Sequence, residues 1–383
     1  HLSIRRQRQM CIRDSCNWAA KGRPMKVETV LPFGKLDPGL RAARDSIDLS
    51  KFFHQCELVE ALGYNALSVT ETKLDPFVQL ALGAQATNSV ELHTAVAIAF
   101  PRSPTVTAQA AWTLQALSGG RLNLGLGTQV KGHIERRFGM EWFAAGPWIR
   151  EYVLAVRELW RCWQEGDQPS HHGDRYDISL MVPLFDPGPI EHPVIPITLA
   201  AVKPYMCEVA GEVADGVRPH PICTPKYISS VMVPAIERGC HKANRDSKNI
   251  DISVAPLVAT AANNQLLAAR IEEVRARVAF YASTPAYRPA FAINGLEDLC
   301  LELSHLSREQ NWDDMPARIT DEILYEYACV GTYDEIGQVI SNRYNGLVSS
   351  TEFSIPLETP DDHDRLRDLI SSCLLYTSDA ADE

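Results

Sequence analysis

The chain has 383 residues, 45% of them hydrophobic and 22% charged, and a formal net charge of -11 at pH 7. This is ordinary globular composition with length enough for a large core. The acidic balance argues against a general nucleic-acid surface. No apolar run reaches the roughly 20 residues of a membrane span and no apolar signal segment opens the chain, so the sequence reads as cytoplasmic.

Strand and helix signals alternate along the chain. Residues 27–33 read as the first strand. Ile47, Leu49, Phe52, Phe53, Cys56, Val59 and Leu62 form a helical stripe that Gly63 ends. Residues 66–69 are the second strand, leading to Thr70, Glu71, Thr72 and Lys73. Asp75 and Pro76 cap the next helix, with the carboxylate at the N-cap and proline at the first helical position. Residues 92–97 are the third strand. Ser103 and Pro104 repeat the cap, and Val106, Ala110, Leu114 and Leu117 give the following helix its buried stripe.

At Leu117-Ser-Gly-Gly-Arg121 that helix ends, and the two glycines can take the left-handed conformation that closes it. The fourth strand follows, with Leu122, Leu124 and Leu126 alternating with Asn123, Gly125 and Gly127. Small residues in a strand allow backbone or ligand to approach closely. The pair Gly125 and Gly127 lacks the third glycine and the immediate helix of a dinucleotide fingerprint. Thr128, Gln129 and a basic loop with Lys131, His133, Glu135, Arg136 and Arg137 come next, then a helix over 149–163.

Residues 171–189 are polar and rich in proline and glycine, and read as an inserted loop or hairpin with His171 and His172 on its surface. Strand five spans 195–201, Lys203 and Pro204 start a helix, strand six spans 215–219, and Thr224 with Pro225 caps another helix. Strand seven is assigned to 251–258, helices to 262–281 and 296–306, and strand eight to 347–355. Thr332 and Glu335 form a capping box opening a helix to Arg343. Eight alternations predict a single-domain α/β protein, a (β/α)8 TIM barrel with insertions. Ten cysteines occur without a CxxC pair. Those inside helical patterns, such as Cys56, Cys162 and Cys207, read as buried reduced thiols. No motif suggests a metal site.

The ends differ from the rest. Residues 1–15 and 373–383 resemble translated sequencing-adapter sequence, as at the ends of metagenomic fragments. Neither has a hydrophobic period that would join a core. The expectation is a non-native leader over 1–24, a domain over 25–371 starting at Met25, and a non-native tail over 372–383.

The segment Leu-Ser-Gly-Gly-Arg121, the Gly-x-Gly strand, Thr128-Gln-Val-Lys131 and the later Arg150-Glu-Tyr helix together resemble the luciferase-like monooxygenase superfamily. The resemblance is nearest its coenzyme F420-dependent oxidoreductases and spans roughly residues 25–356. It implies an oxidoreductase that binds the deazaflavin F420, with FMN as the alternative cofactor, at the C-terminal face of the barrel. The partner would be a small organic substrate, on a chain that resemblance suggests is a homodimer. It implies a strand-three bulge with a non-proline cis peptide near Ala97 and Ile98, backing the cofactor ring. It also implies a cofactor-phosphate site at Ala200, Ala201, Val202 and Lys203, with Thr128 and Gln129 helping to hold the cofactor. Relatives acting on alcohols carry an Asp-His pair after strand two; here Glu71 and Thr72 stand in its place. Glu71 is a candidate base or substrate ligand, or else a structural carboxylate paired with a neighbouring cation. The basic loop reads either as a grip on an acidic substrate or on the cofactor's polyglutamate tail, or as a solvated charged surface. Tyr281, Thr284 and Tyr287 would border the substrate pocket. The rivals are an FMN-dependent monooxygenase and a cofactor-binding protein without turnover.

Overall fold

A computed structural model describes residues 25–33, 48–357 and 359–375. Eight parallel strands close into a barrel: β1 (Lys26–Leu31), β2 (Ala66–Val69), β3 (Glu91–Thr94), β4 (Leu122–Gly127), β5 (Ile197–Ala201), β6 (Gly216–Pro219), β7 (Asp251–Val254) and β8 (Ser350–Glu352). Neighbours pair in chain order, and β1 pairs with β8 to close the ring. This is the TIM barrel that the alternation predicts.

The outward side chains of the strands meet the helical layer and are fully buried: Val27, Leu31, Leu67, Leu92, Leu124, Ile197, Leu199, Val217 and Ile252. The helices start where the sequence places their caps. Asp75 accepts from the N–H groups of Phe77 and Val78, Ser103 from that of Val106, and Thr224 from that of Tyr227. The Thr332–Glu335 capping box is present. Gly119 and Gly120 have φ of 64° and 91° and close the helix Pro104–Ser118. Arg121 then turns back and donates to the carbonyls of Ala84, Thr87 and Val90, satisfying acceptors left at the end of the helix Pro76–Ala86.

Three expectations are corrected. The third strand is interrupted after Thr94 and resumes for only Ala97–Ile98. The seventh strand stops at Val254, and Leu257–Ala261 leaves the barrel to pair with Ala328–Thr332, a strand the sequence did not announce. These two strands and the helices between 264 and 344 form an insertion between β7 and β8. The basic segment after β4 is a short helix, Lys131–Arg136, pinned by buried Ile134.

The segment 171–189 is a short hairpin, His171–His172 against Asp177–Ile178, followed by irregular chain. His172 is exposed beside Asp177, but the His171 ring is mostly covered, 3.9 Å from Glu151. Cys56, Cys162, Cys207, Cys223, Cys240, Cys300 and Cys329 are buried and free of disulfides. No helix among the described residues is long and apolar enough to cross a membrane. The expected leader, Ile47 and the end of the tail lie outside the described residues; the helix Pro360–Leu375 runs through Cys373.

Candidate active site

The C-terminal rim of the barrel is shaped first by the break in the third strand. The cis peptide joins Ala95 and Val96, two residues earlier than the expected position at Ala97 and Ile98. The glycines of β4 account for the place. A Cβ on Gly125 would lie 1.8 Å from the Thr94 carbonyl oxygen, and one on Gly127 would lie 2.5 Å from Cγ2 of Val96. Only a strand without side chains on that face lets the neighbouring backbone come so near. Ala97 and Ile98 then pair with Leu126 and Gly127, and both are buried.

Glu71, at the end of β2, is held rather than free. Its Oε2 accepts from the Ile98 N–H at 2.7 Å and from Arg102 Nη1 at 2.7 Å. Arg102 Nη1 also donates to the Ile98 carbonyl at 3.0 Å, and Nη2 to Asp75 at 2.8 Å. The Glu71 side chain is 11% exposed and that of Arg102 18%. Of the roles open to Glu71, pairing with a cation is the one the geometry contains. Arg102 escaped the sequence reading because its partners lie four, 27 and 31 residues away. Thr72 is exposed, and its carbonyl accepts from Arg137.

After β4, the Thr128 and Gln129 side chains bond to nearby backbone. The Thr128 hydroxyl donates to the Gln129 carbonyl, and Gln129 Oε1 accepts from the Val130 N–H. Gln129 sits at φ 58°, a conformation few non-glycine residues adopt. On the short helix that follows, Lys131 lies 3.7 Å from Glu135, and the other charges face outward.

Ala200 and Ala201 end β5, and Val202 leads to Lys203 at the N-cap of the helix Pro204–Val213. Lys203 is extended and supplies no side-chain cap, so backbone N–H groups of the first turn lack side-chain partners. Tyr205, 53% exposed, lies over Gly146, whose added Cβ would come within 2.4 Å of the ring. Gly146 belongs to the first turn of the helix Ala145–Glu165, which also has no side-chain cap. Two uncapped helix starts therefore meet on this rim, a setting that favours an anion.

The barrel interior holds charges where branched aliphatic residues are usual. Glu28 on β1 bonds to Arg218 on β6, to Ser253 Oγ on β7 at 2.6 Å and to His93 Nδ1 on β3 at 2.9 Å. Arg218 also reaches Glu352 on β8, and His93 Nε2 lies 3.1 Å from Glu91. Burial opposes the charge on Glu28, but Arg218 and the bonds from His93 and Ser253 outweigh it and hold the carboxyl well below its usual range. Burial likewise opposes the charge on His93, yet Glu28 and Glu91 raise its pKa. Glu91 is brought down to about 2 against its own burial by His93 and Lys26. None of these residues was singled out in the sequence. The available signal was one charged residue at the centre of each of several buried strands.

Above this network, at the end of β6, lies His220. Its ring stacks on Tyr287 at 4.1 Å and meets Tyr281 edge-on at 4.6 Å. Both tyrosines come from the insertion, at positions the sequence assigned to the pocket border. Burial lowers the His220 pKa to about 3. Thr284 hydrogen-bonds within its own helix end. Among the described residues, no three His, Cys, Asp or Glu side chains converge as a metal site.

Comparison with known proteins gives the family and the fold likeness. The family model of the luciferase-like monooxygenases matches residues 25–350. An uncharacterised protein of Mycobacterium tuberculosis is 41% identical over 290 residues, covering 76% of this chain and 85% of the relative. A 5,10-methylenetetrahydromethanopterin reductase of Archaeoglobus fulgidus is 25% identical over 304 residues, 79% of this chain and 88% of the relative. Among solved structures, the coenzyme F420-dependent tetrahydromethanopterin reductase of Methanopyrus kandleri superposes with a TM-score of 0.70 at 18% identity, covering 92% of this chain and 98% of that one. The EDTA monooxygenase of a Chelativorans species gives 0.68 at 14% identity, with 91% and 94% covered, a likeness of fold. The chain belongs to the luciferase-like monooxygenase family.

Proposed function

We propose that this protein is an oxidoreductase that binds coenzyme F420 and moves hydride between the deazaflavin and a small organic substrate. The observation that carries the reading is the C-terminal rim itself. It brings together a glycine-walled strand, an interrupted third strand, and an uncapped helix start bearing Lys203. These fit a planar group that carries a phosphate. Relatives named for F420-dependent reactions support the deazaflavin.

Bound deazaflavin would supply the hydride chemistry, and the protein orientation and electrostatics. Ala97 and Ile98 would back the ring. Thr128 and Gln129 would flank it, and Ala200, Ala201, Val202 and Lys203 would hold the phosphate. Glu71 serves here as a positioning residue. With Arg102 it fixes the backbone of Ile98 on both its N–H and its carbonyl side, leaving little freedom for proton transfer. A rigid backing matters because hydride transfer requires the donor and acceptor carbons in near contact.

The likeness to a monooxygenase of the same fold supports a second reading, FMN-dependent oxygenation. Oxygen uptake separates the two. Anaerobic reoxidation of reduced F420 by an organic acceptor, without oxygen consumption in air, is expected. Oxygen uptake driven by reduced FMN, with no reaction of reduced F420, refutes the first reading.

A further inference from the structure

β6 alternates between the two sides of the barrel wall. Val217 and Pro219 are buried against the helical layer, while Arg218 points inward to Glu28 and Glu352. The next inward position is His220, where the strand ends and the rim begins. Residues at the C-terminal ends of barrel strands are where this fold places chemistry. Tyr287 stacks on the ring with 29° between planes, and Tyr281 stands at 88° to it, so the imidazole is fixed in orientation. Nδ1 accepts from the Ile222 N–H at 3.4 Å. A neutral ring that accepts at Nδ1 carries its proton on Nε2. Nε2 has no hydrogen-bond partner among the described residues.

We propose that His220 is a catalytic residue, a neutral imidazole whose Nε2–H donates to the oxygen of an aldehyde or ketone substrate as hydride arrives at its carbon. The inference rests on the deazaflavin reading. In the step, a new C–H bond forms with the electron pair from the reduced cofactor, the C=O π bond breaks, and its pair goes to oxygen. The hydrogen bond from Nε2 stabilises that charge, and the alkoxide takes its proton from water. Burial without a facing carboxylate keeps the ring in the neutral form that donates without becoming charged. This supplies the imidazole that position 72 lacks, from a different strand and in a different role.

The test uses the full chain with labelled histidine rings. The His220 resonance is assigned by its loss in His220→Gln, and ring nitrogen shifts report the tautomer. At pH 7 the neutral Nε2–H form is expected, with its resonance moving when F420 saturates the protein. An Nδ1–H tautomer, a charged ring, or a resonance unmoved in the saturated complex overturns the proposal. Failure to bind F420 at all is a separate result of the same titration; it refutes the cofactor reading and this inference with it. Reoxidation of reduced F420 by a panel of aldehydes and ketones provides the second arm. His220→Phe keeps the ring packing but removes the donor, and should lower kcat about 100-fold or more. His220→Gln, which keeps an N–H, should recover part of it, with F420 affinity unchanged in both. Turnover by His220→Phe equal to wild type, or no carbonyl accepted by wild type, contradicts the assignment.

Discussion

Adding one methyl group at three glycines should have opposite consequences that the geometry sets in advance. At Gly125 a Cβ would sit 1.8 Å from the Thr94 carbonyl oxygen, more than 1 Å inside the 3.0 Å that real Cβ atoms respect. The obstacle is backbone, which cannot rotate away, so Gly125→Ala should cost about 3 kcal/mol or more. At Gly127 the obstacle is Cγ2 of Val96 at 2.5 Å, a β-branched side chain with one favoured rotamer, and the cost should be about 1–3 kcal/mol. At Gly83, inside the helix Pro76–Ala86, the nearest atoms are leucine methyls at 3.6 Å, an ordinary contact. Gly83→Ala should therefore stabilise by about 0.5–1 kcal/mol through helix propensity. At roughly 2 °C per kcal/mol for a chain of this size, thermal denaturation should place Gly125→Ala about 6 °C or more below wild type and Gly83→Ala slightly above it. F420 and FMN titrations should show weakened binding for the first two variants and unchanged binding for the third. A Gly125→Ala protein as stable as wild type, with unchanged cofactor affinity, refutes the reasoning that β4 is bare in order to seat the third strand.

Three further outcomes follow from named contacts. Arg102→Met leaves the largely buried Glu71 carboxylate without its cation and should destabilise by roughly 3 kcal/mol, read by denaturant melts. Adding Glu71→Gln should recover part of that loss. His93, whose pKa is raised in the fold, contributes stability that is complete below the unfolded value of about 6.5 and is lost as pH rises through the folded pKa. The melting temperature of wild type minus that of His93→Gln should shrink above that pH; a pH-independent difference contradicts the assigned Glu28–His93–Glu91 pairing. Lys203→Ala should raise the Kd of a phosphate-bearing cofactor about three- to fivefold at low salt, and less at high salt, as expected for an exposed charge at a helix start.

Much of the fold was legible because local chemistry agreed with it. Asp75, Ser103 and Thr224 before proline, and Thr332 with Glu335, each mark a helix start by an oxygen that must meet a free N–H. The break in strand seven was not legible, and that in strand three was expected only from the family resemblance, two residues beyond its actual place. By their own pattern, residues 92–97 and 251–258 read as continuous runs, and nothing local shows where a neighbouring strand or an insertion diverts them. The charged interior was hidden for a related reason. Strands buried on both sides lose the alternation that separates inside from outside, so Glu28, His93 and Arg218 carry no sign that they meet. Their encounter depends on registers between strands up to 190 residues apart. His220 sits among prolines and reads as loop until the insertion supplies Tyr281 and Tyr287.

The deazaflavin reading stands or falls on a paired titration of the cofactor-free full-length protein, following fluorescence with F420 and with FMN separately. Tight, saturable binding of F420, with FMN much weaker, is the expected result. Tight binding of FMN with none of F420 contradicts it and makes oxygenation the reaction to pursue on this rim.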